Sequence, residues 1–239
     1  MSEDENRATG AGSQAPTQQE PSAASPEPPS AAAAPAPTAA PSRTRWTGKD
    51  FVTLAIFNVI LLVVAMAVTA VVGLLLPGLS YVVGYPLAGL LTGPVYMVMA
   101  NRIHKRGILF FTAVISGAFY AAMGVVHYLA IFAVGGIVCE LAMWGKGSYR
   151  RVPRNAVGYA LLYVFYYLGG VLPLVVFRDS YLAAVGAMYT SEQMGVMLYY
   201  YGTPHIVLVS CALAACGAVL GVVVGGAFVR RHIKKAKLV

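Results

Sequence analysis

The sequence is short of charged residues. Only 11% of its 239 residues are Asp, Glu, Lys or Arg, whereas 58% are hydrophobic. Because soluble domains carry about twice that share of charge, this composition excludes an ordinary soluble domain. Acids are especially scarce, and only Glu140, Asp179 and Glu192 lie beyond residue 50. We therefore expect an integral membrane protein.

Signatures of catalysis are also missing. The sequence contains no HExxH, GxSxG or Walker A motif and no carboxylates at metal-ligand spacing. Its three cysteines are an odd number and fall in apolar segments, where they are expected to pack as small residues. We expect neither an enzyme nor a cofactor or metal site, and any coupling to ATP requires a partner protein.

The first 45 residues differ from the rest. They are rich in Ala and Pro and show no apolar periodicity, which is typical of a disordered segment. They also lack the apolar core of a cleavable signal peptide. The sequence predicts a disordered tail that remains in the mature protein.

Six apolar segments follow, and most reach the length of about 20 residues that a helix needs to cross a bilayer. The third and fourth share one run twice as long as a single crossing, so we interpret them as a tight hairpin. We expect an all-α membrane domain over residues 46–239, with six transmembrane helices. Their predicted bounds are 51–76, 79–100, 108–124, 125–144, 156–177 and 205–229.

Positive charge indicates the orientation. Six crossings place both termini on one side, and nearly all cations fall on that side, which the positive-inside rule makes cytoplasmic. The net charge of +8 is then explained by the orientation of the protein and by attraction to anionic lipid headgroups. No nucleic-acid partner is expected. Beyond residue 42 these cations are Arg43, Arg45, Lys49, Arg102, Lys105, Arg106, Lys146, Arg150, Arg151, Arg154, Arg230, Arg231, Lys234, Lys235 and Lys237.

One long connection, residues 178–204, is expected on the outer face. Its middle is apolar, but a seventh span there would bury Glu192 and place the basic C-terminus outside. We expect it to form an outer lid in or near the interface. Loops of this length are usually functional.

Polar groups at membrane depth and the few outer charges are the candidate ligand contacts. Tyrosine and histidine also populate ordinary interfacial belts, and Arg178 with Asp179 could form a local surface pair. The run Tyr199–Tyr201 could stack on a flat ligand or lie among headgroups. The candidate substrate-binding residues are His127, Tyr163, Tyr166, Tyr167, Arg178, Asp179, Glu192 and His205.

Glu140 is expected about one turn from the cytoplasmic end of the fourth helix. The simpler interpretation is a carboxylate that reaches Lys146, Arg150 or Arg151 of the next loop. The alternative is a proton-coupling group.

Two ladders of small residues predict close helix contacts. Gly217, Gly221 and Gly225 recur every four residues in the last helix, and we expect them to pack mainly within the chain. In the first helix the weaker ladder Ala65, Thr69 and Gly73 is an equal candidate for a partner interface.

Several motifs, in this order and spacing, resemble one known family. The sequence is similar to the Trep_Strep integral membrane family, also described as the MptD-like substrate-binding (S) component of energy-coupling-factor (ECF) transporters. The similarity begins near residue 46. It rests on "TGKDF" (47–51), "LLTGPVYMVMANRIHKRG" (90–107), the acid that precedes "GKGSY" (145–149), "FRDSYLAAVG" (177–186) and "GGAFVRRHIKKA" (225–236).

The resemblance implies a multi-pass protein of the bacterial cell membrane that captures a micronutrient, such as a vitamin or its precursor, from outside. Its partners would be a transmembrane T component and two cytoplasmic ATPases. S components bind substrate near the outer ends of helices four to six and dock through an Ala-x-x-x-Ala motif in helix one. Ala65, Thr69 and Gly73 are the nearest equivalent here.

Two other functions compete with this one. A stand-alone transporter could couple to protons through Glu140 or His127, although the two halves show no convincing repeat. A membrane-embedded enzyme acting on lipid ranks last, because no acid and base are paired at a plausible spacing.

Overall fold

The computed structural model of the protein describes residues 46–145 and 147–233. The predicted disordered tail, Lys146, and the C-terminal Lys234, Lys235 and Lys237 lie outside these residues. Within them every regular element is a helix. The predicted all-helical fold is therefore confirmed for this part of the chain.

Eight α-helices make up the described fold. A short 3₁₀ turn, Ser148–Arg150, precedes the fifth, and a π-helical turn, Val229–Ile233, follows the eighth. The helices are α1 (Gly48–Leu75), α2 (Ser80–Ile103), α3 (Ile108–Ala122), α4 (His127–Ala142), α5 (Val152–Val176), α6 (Arg178–Gly186), α7 (Ser191–Gly202) and α8 (Pro204–Phe228).

The six predicted apolar helices all form, with ends within about four residues of their expected positions. Among the described residues, α1, α2, α5 and α8 are long and apolar enough to cross a membrane. The hairpin helices α3 and α4 have 15 and 16 residues, fewer than a full crossing needs. Length therefore supports four spans directly.

The predicted lid is helical and consists of α6 and α7, which we call the lid throughout. Thr190 caps α7: its side chain accepts from the Gln193 N–H at 3.3 Å, and the Gln193 side chain accepts from the Thr190 N–H at 3.0 Å. Tyr181 of α6 and Met197 of α7 are each about 1% exposed and anchor the two helices. The connection between α5 and α8 is thus a pair of ordered helices rather than an irregular loop.

The closest helix contact joins α2 and α8. A Cβ atom added to Gly217 would lie 2.2 Å from the Pro86 carbonyl oxygen, and one added to Gly221 would lie 2.4 Å from that of Gly89. Gly225 approaches the Pro94 Cα in the same way, at 2.6 Å. Since only glycine lets two backbones come this close, the α8 ladder serves a contact within the chain.

Contacts between helix ends bring the cations together at one end of the bundle, which we call the basic end. Lys105 donates to the Asp50 carboxylate at 2.5 Å, and the Trp46 indole N–H donates to the Arg106 carbonyl at 3.0 Å. These bonds join the start of α1 to the connection between α2 and α3. The described cations of this end are Lys49, Arg102, Lys105, Arg106, Arg150, Arg151, Arg154, Arg230 and Arg231.

Candidate ligand-binding site

A cavity of about 570 Å³ lies away from the basic end, between α1 to α5 and the lid. This volume falls within the range of small-molecule sites. Its wall is dominated by one residue type, since ten of the fifteen tyrosines line it. They are Tyr81, Tyr85, Tyr120, Tyr128, Tyr159, Tyr163, Tyr166, Tyr181, Tyr189 and Tyr201.

Hydrogen bonds hold the inner tyrosines in place. Tyr159 donates to the Thr92 hydroxyl at 2.8 Å, and the Thr92 and Tyr163 hydroxyls lie 2.6 Å apart. Tyr166 bonds to the Ser116 hydroxyl at 2.8 Å. Because these bonds fix both ring and hydroxyl, this side of the cavity is preorganised before a ligand enters.

Tyrosines also connect the lid to the bundle. The Tyr128 and Tyr181 hydroxyls are 3.1 Å apart, and Tyr81 packs edge-to-face on Tyr201 with ring centroids 5.2 Å apart. Burial raises the pKa of Tyr181 and that of Tyr189, so both hydroxyls are neutral at pH 7. The lid therefore closes the cavity with uncharged aromatic groups.

Formal charge is nearly absent from the cavity. Glu192, exposed on the lid, is the one charged side chain among the described residues that line it. Thr112 is 2% exposed, and its hydroxyl has no hydrogen-bond partner in the part of the chain that the structure describes. No group of three His, Cys, Asp or Glu suited to a metal ion occurs among those residues either. The site offers ring faces and hydroxyls.

The sequence profile of a family described as "Hypothetical bacterial integral membrane protein (Trep_Strep)" matches residues 48–235, from the first residue of α1 to beyond α8. The chain belongs to the Trep_Strep family. No curated protein and no solved structure matches it. The resemblance to the Trep_Strep family inferred from the motifs is confirmed, and with it the assignment to integral membrane proteins with several apolar helices. The further assignment to the S components of ECF transporters stays a prediction.

Three of the predicted site residues meet at the cavity of this Trep_Strep protein: Tyr163, Tyr166 and Glu192. They come from α5 and α7, so the fold brings together groups about 26 residues apart in sequence. Their role in binding stays a prediction. Their common position makes them the strongest part of the predicted set.

The other predicted site residues lie off this cavity. His127 contacts the Ser180 hydroxyl at 2.9 Å and so connects α4 to the lid. Tyr167 is fully buried, with its ring edge-to-face to Tyr85 and Tyr201, which is a packing position. The remaining three, Arg178, Asp179 and His205, are exposed. Arg178 also lies beside a separate groove between α5, α7 and α8.

Sequence reasoning did not assign most of the tyrosines that line the cavity. Tyr81 and Tyr85 are spaced four residues apart on α2, a spacing that places both on one helix face. That signal was available. Tyr201 belongs to the tyrosine run noted in the sequence, but neither it nor Tyr120 was assigned to the site. Tyr128, Tyr181 and Tyr189 are brought to it only by the packing of α4 and the lid.

The small-residue ladder of α1 faces inward. Ala65, Thr69 and Gly73 are half-buried and line the cavity. The exposed apolar side of α1 carries other residues, among them Val63 at 61% and Leu74 at 82% exposure. The ladder therefore lies on the cavity wall, and its role as a partner interface stays a prediction.

Glu140 has other partners than those expected. Its carboxylate accepts from the backbone N–H groups of Leu109 at 3.0 Å and Phe110 at 3.4 Å, and from the Tyr149 hydroxyl. Among the described residues, the N-terminus of α3 takes the place of the predicted partners Arg150 and Arg151, because its exposed N–H groups favour an anion. Lys146, the third predicted partner, lies outside the described residues. Glu140 thus joins α3, α4 and the 3₁₀ turn at the basic end.

Proposed function

We propose that this Trep_Strep protein is the substrate-capture (S) subunit of an ECF-type importer in the bacterial cell membrane. It binds a small micronutrient from outside and has no catalytic activity of its own. A T component and two cytoplasmic ATPases drive uptake. Membership in a bacterial membrane protein family and the lack of an ATPase motif support this role.

The observation that carries the proposal is the tyrosine-lined cavity beneath the lid. It has the size of a small-molecule site and lies away from the basic end. With the basic end cytoplasmic, as the positive-inside rule favours, the cavity lies toward the outer face, beneath the lid. This is the arrangement that a capture subunit requires.

The proposed topology has six crossings with both termini cytoplasmic. α3 and α4 are short, but their connection continues through residues 123–126, where Gly124 turns the chain with a φ of +102°. The bilayer thins locally around short helices at modest free-energy cost. A hairpin returns the chain to its starting side whether or not it reaches the far surface, so the orientation of α5 and α8 does not depend on its depth.

The geometry favours this function over proton-coupled transport. Neither Glu140 nor His127 belongs to the residues that line the cavity. Glu140 is held by the α3 N-terminus and Tyr149, at the basic end. A carboxylate held by these hydrogen bonds stabilises the packing of α3 against α4 and does not belong to a path for ligand and proton.

The test has two steps. Small molecules that co-purify with the full chain are identified by mass spectrometry, and uptake of the identified compound is measured in cells with and without the ATPase and T-component genes. We expect uptake to require those genes. Uptake that is unchanged without them overturns the ECF assignment.

Substitutions in α1 test whether the captured compound binds in this cavity. Ala65→Trp places a large ring on the cavity wall and is expected to abolish capture. Val63→Trp adds the same ring to the exposed side of α1 and serves as the matched control. Capture that survives Ala65→Trp in a folded protein excludes this cavity as the site.

A further inference from the structure

The charges of the cavity restrict what can bind there. Among its described lining residues no side chain is basic, and Glu192 supplies one negative charge at the lid. An anionic ligand would leave water without gaining a cationic partner, and removing an unpaired charge from water is strongly unfavourable. The wall therefore disfavours phosphates and carboxylates.

The tyrosines that line the cavity favour a positively charged ligand. The face of an aromatic ring carries partial negative charge, so a cation over that face is attracted, and the attraction grows when water is excluded. Rings approach the cavity from the bundle at Tyr85, Tyr120 and Tyr163 and from the lid at Tyr181 and Tyr201. Several faces and edges around one volume form the kind of aromatic cage that binds organic cations.

The buried hydroxyl of Thr112 provides a polar contact. It lies near the start of α3, far from the lid along the cavity wall, and has no partner among the described residues. A buried hydroxyl without a hydrogen bond is costly, which favours a ligand group that bonds to it. The cavity thus has a wall of aromatic rings, one buried hydroxyl at the end away from the lid and one carboxylate at the lid.

We infer that the cavity binds an organic cation built on a flat ring system, with a hydrogen-bonding group at the end away from the lid. Tyrosine faces hold the charged ring, Glu192 attracts it at the entrance, and Thr112 bonds to its polar group. This inference rests on the proposed capture function and specifies its substrate class.

Three probes of similar size and different charge test the inference: N-methylquinolinium, quinoline and 1-naphthoate. Each is titrated at pH 7.5 into the full chain in lipid nanodiscs. We expect the cation to bind about tenfold more tightly than neutral quinoline, and the anion not to bind. Equal or weaker binding of the cation, or its failure to bind, overturns the inference.

Matched variants locate the effect. Tyr120→Leu removes a ring face and should weaken cation binding about tenfold, whereas Tyr120→Phe keeps the ring and should retain it.

Glu192→Gln should weaken cation binding about threefold, because its carboxylate is exposed to solvent. Asp179→Asn removes the other lid acid, which lies off the cavity, and should change nothing. Equal effects of Glu192→Gln and Asp179→Asn contradict a role for Glu192.

The inference and the proposed function fail in different ways. A co-purifying anion overturns the inference and leaves capture intact. Uptake that needs no ATPase overturns the ECF assignment and leaves the binding of a cation intact.

Discussion

Gly93 of α2 meets Gly221 of α8 with no space for a side chain between them. A Cβ atom on Gly93 would lie 2.2 Å from the Gly221 carbonyl carbon. On the same face, a Cβ on Gly89 would lie 3.0 Å from the Ala218 backbone nitrogen. The two backbones are thus in direct contact over more than one turn, and this contact is part of the largest helix interface of the fold.

Gly93→Ala should lower stability by about 3 kcal/mol, since a methyl group forces the backbones of α2 and α8 apart. Thermal unfolding of the detergent-solubilised protein measures the effect. The control is Gly73→Ala on α1, where a Cβ meets nothing within 4 Å. Equal unfolding temperatures for the two variants would show that the backbones are not in contact.

Glu140→Gln should lower stability by about 1–2 kcal/mol, since it replaces charge-assisted hydrogen bonds to Leu109 and Tyr149 with neutral ones. Burial raises the pKa of Tyr149, so its hydroxyl stays protonated as a donor. Unfolding and uptake are both measured, and uptake per folded molecule should be unchanged. Lost uptake at full stability would instead support proton coupling.

Gly170→Ala should loosen the lid. A Cβ there would lie 2.5 Å from Cε2 of the buried Tyr201 ring, so α7 must shift. We expect trypsin to cleave after Arg178, the exposed cation at the start of the lid, about tenfold faster than in the parent protein. Gly202→Ala, where a Cβ meets nothing within 4 Å, should be cleaved at the parent rate. Unaltered cleavage of Gly170→Ala would mean that Tyr201 does not hold the lid.

The proposed orientation is tested by cysteine labelling. Single cysteines are introduced at Ala187, between the lid helices, and at Arg151, at the basic end, after Cys139, Cys211 and Cys216 are replaced by Ala. A membrane-impermeant maleimide should label Ala187→Cys in intact cells and Arg151→Cys only after lysis. The reverse pattern contradicts the assignment of the basic end to the cytoplasm.

The helices were predictable because long apolar runs separated by charge or Gly leave few alternatives. The α3–α4 hairpin was placed correctly, and Gly124, whose φ is +102°, lies in its turn. The helical form of the lid was not expected. Its signal was local and readable: Thr190 and Gln193 have the spacing of a capping box before α7.

The site was less predictable than the fold. Membrane-facing helices are apolar on every side, so hydrophobic pattern does not determine which face of a helix turns inward. Tyr166 and Tyr167 illustrate this, since the first lines the cavity and the second packs between Tyr85 and Tyr201. Arg178, Asp179 and Glu192 were candidates because they are the few charges expected on the outer face, yet of these three only Glu192 lines the cavity.

The glycine contact between α2 and α8 also limits how the protein can move. Side chains can change rotamer to accommodate sliding helices, but touching backbones have no such freedom, so these two helices behave as one rigid unit. Any rearrangement that admits a molecule must then occur elsewhere, for example in the lid or in α1, which packs chiefly on α2. In the proposed capture function, this rigid pair is the fixed frame against which the substrate is loaded and released.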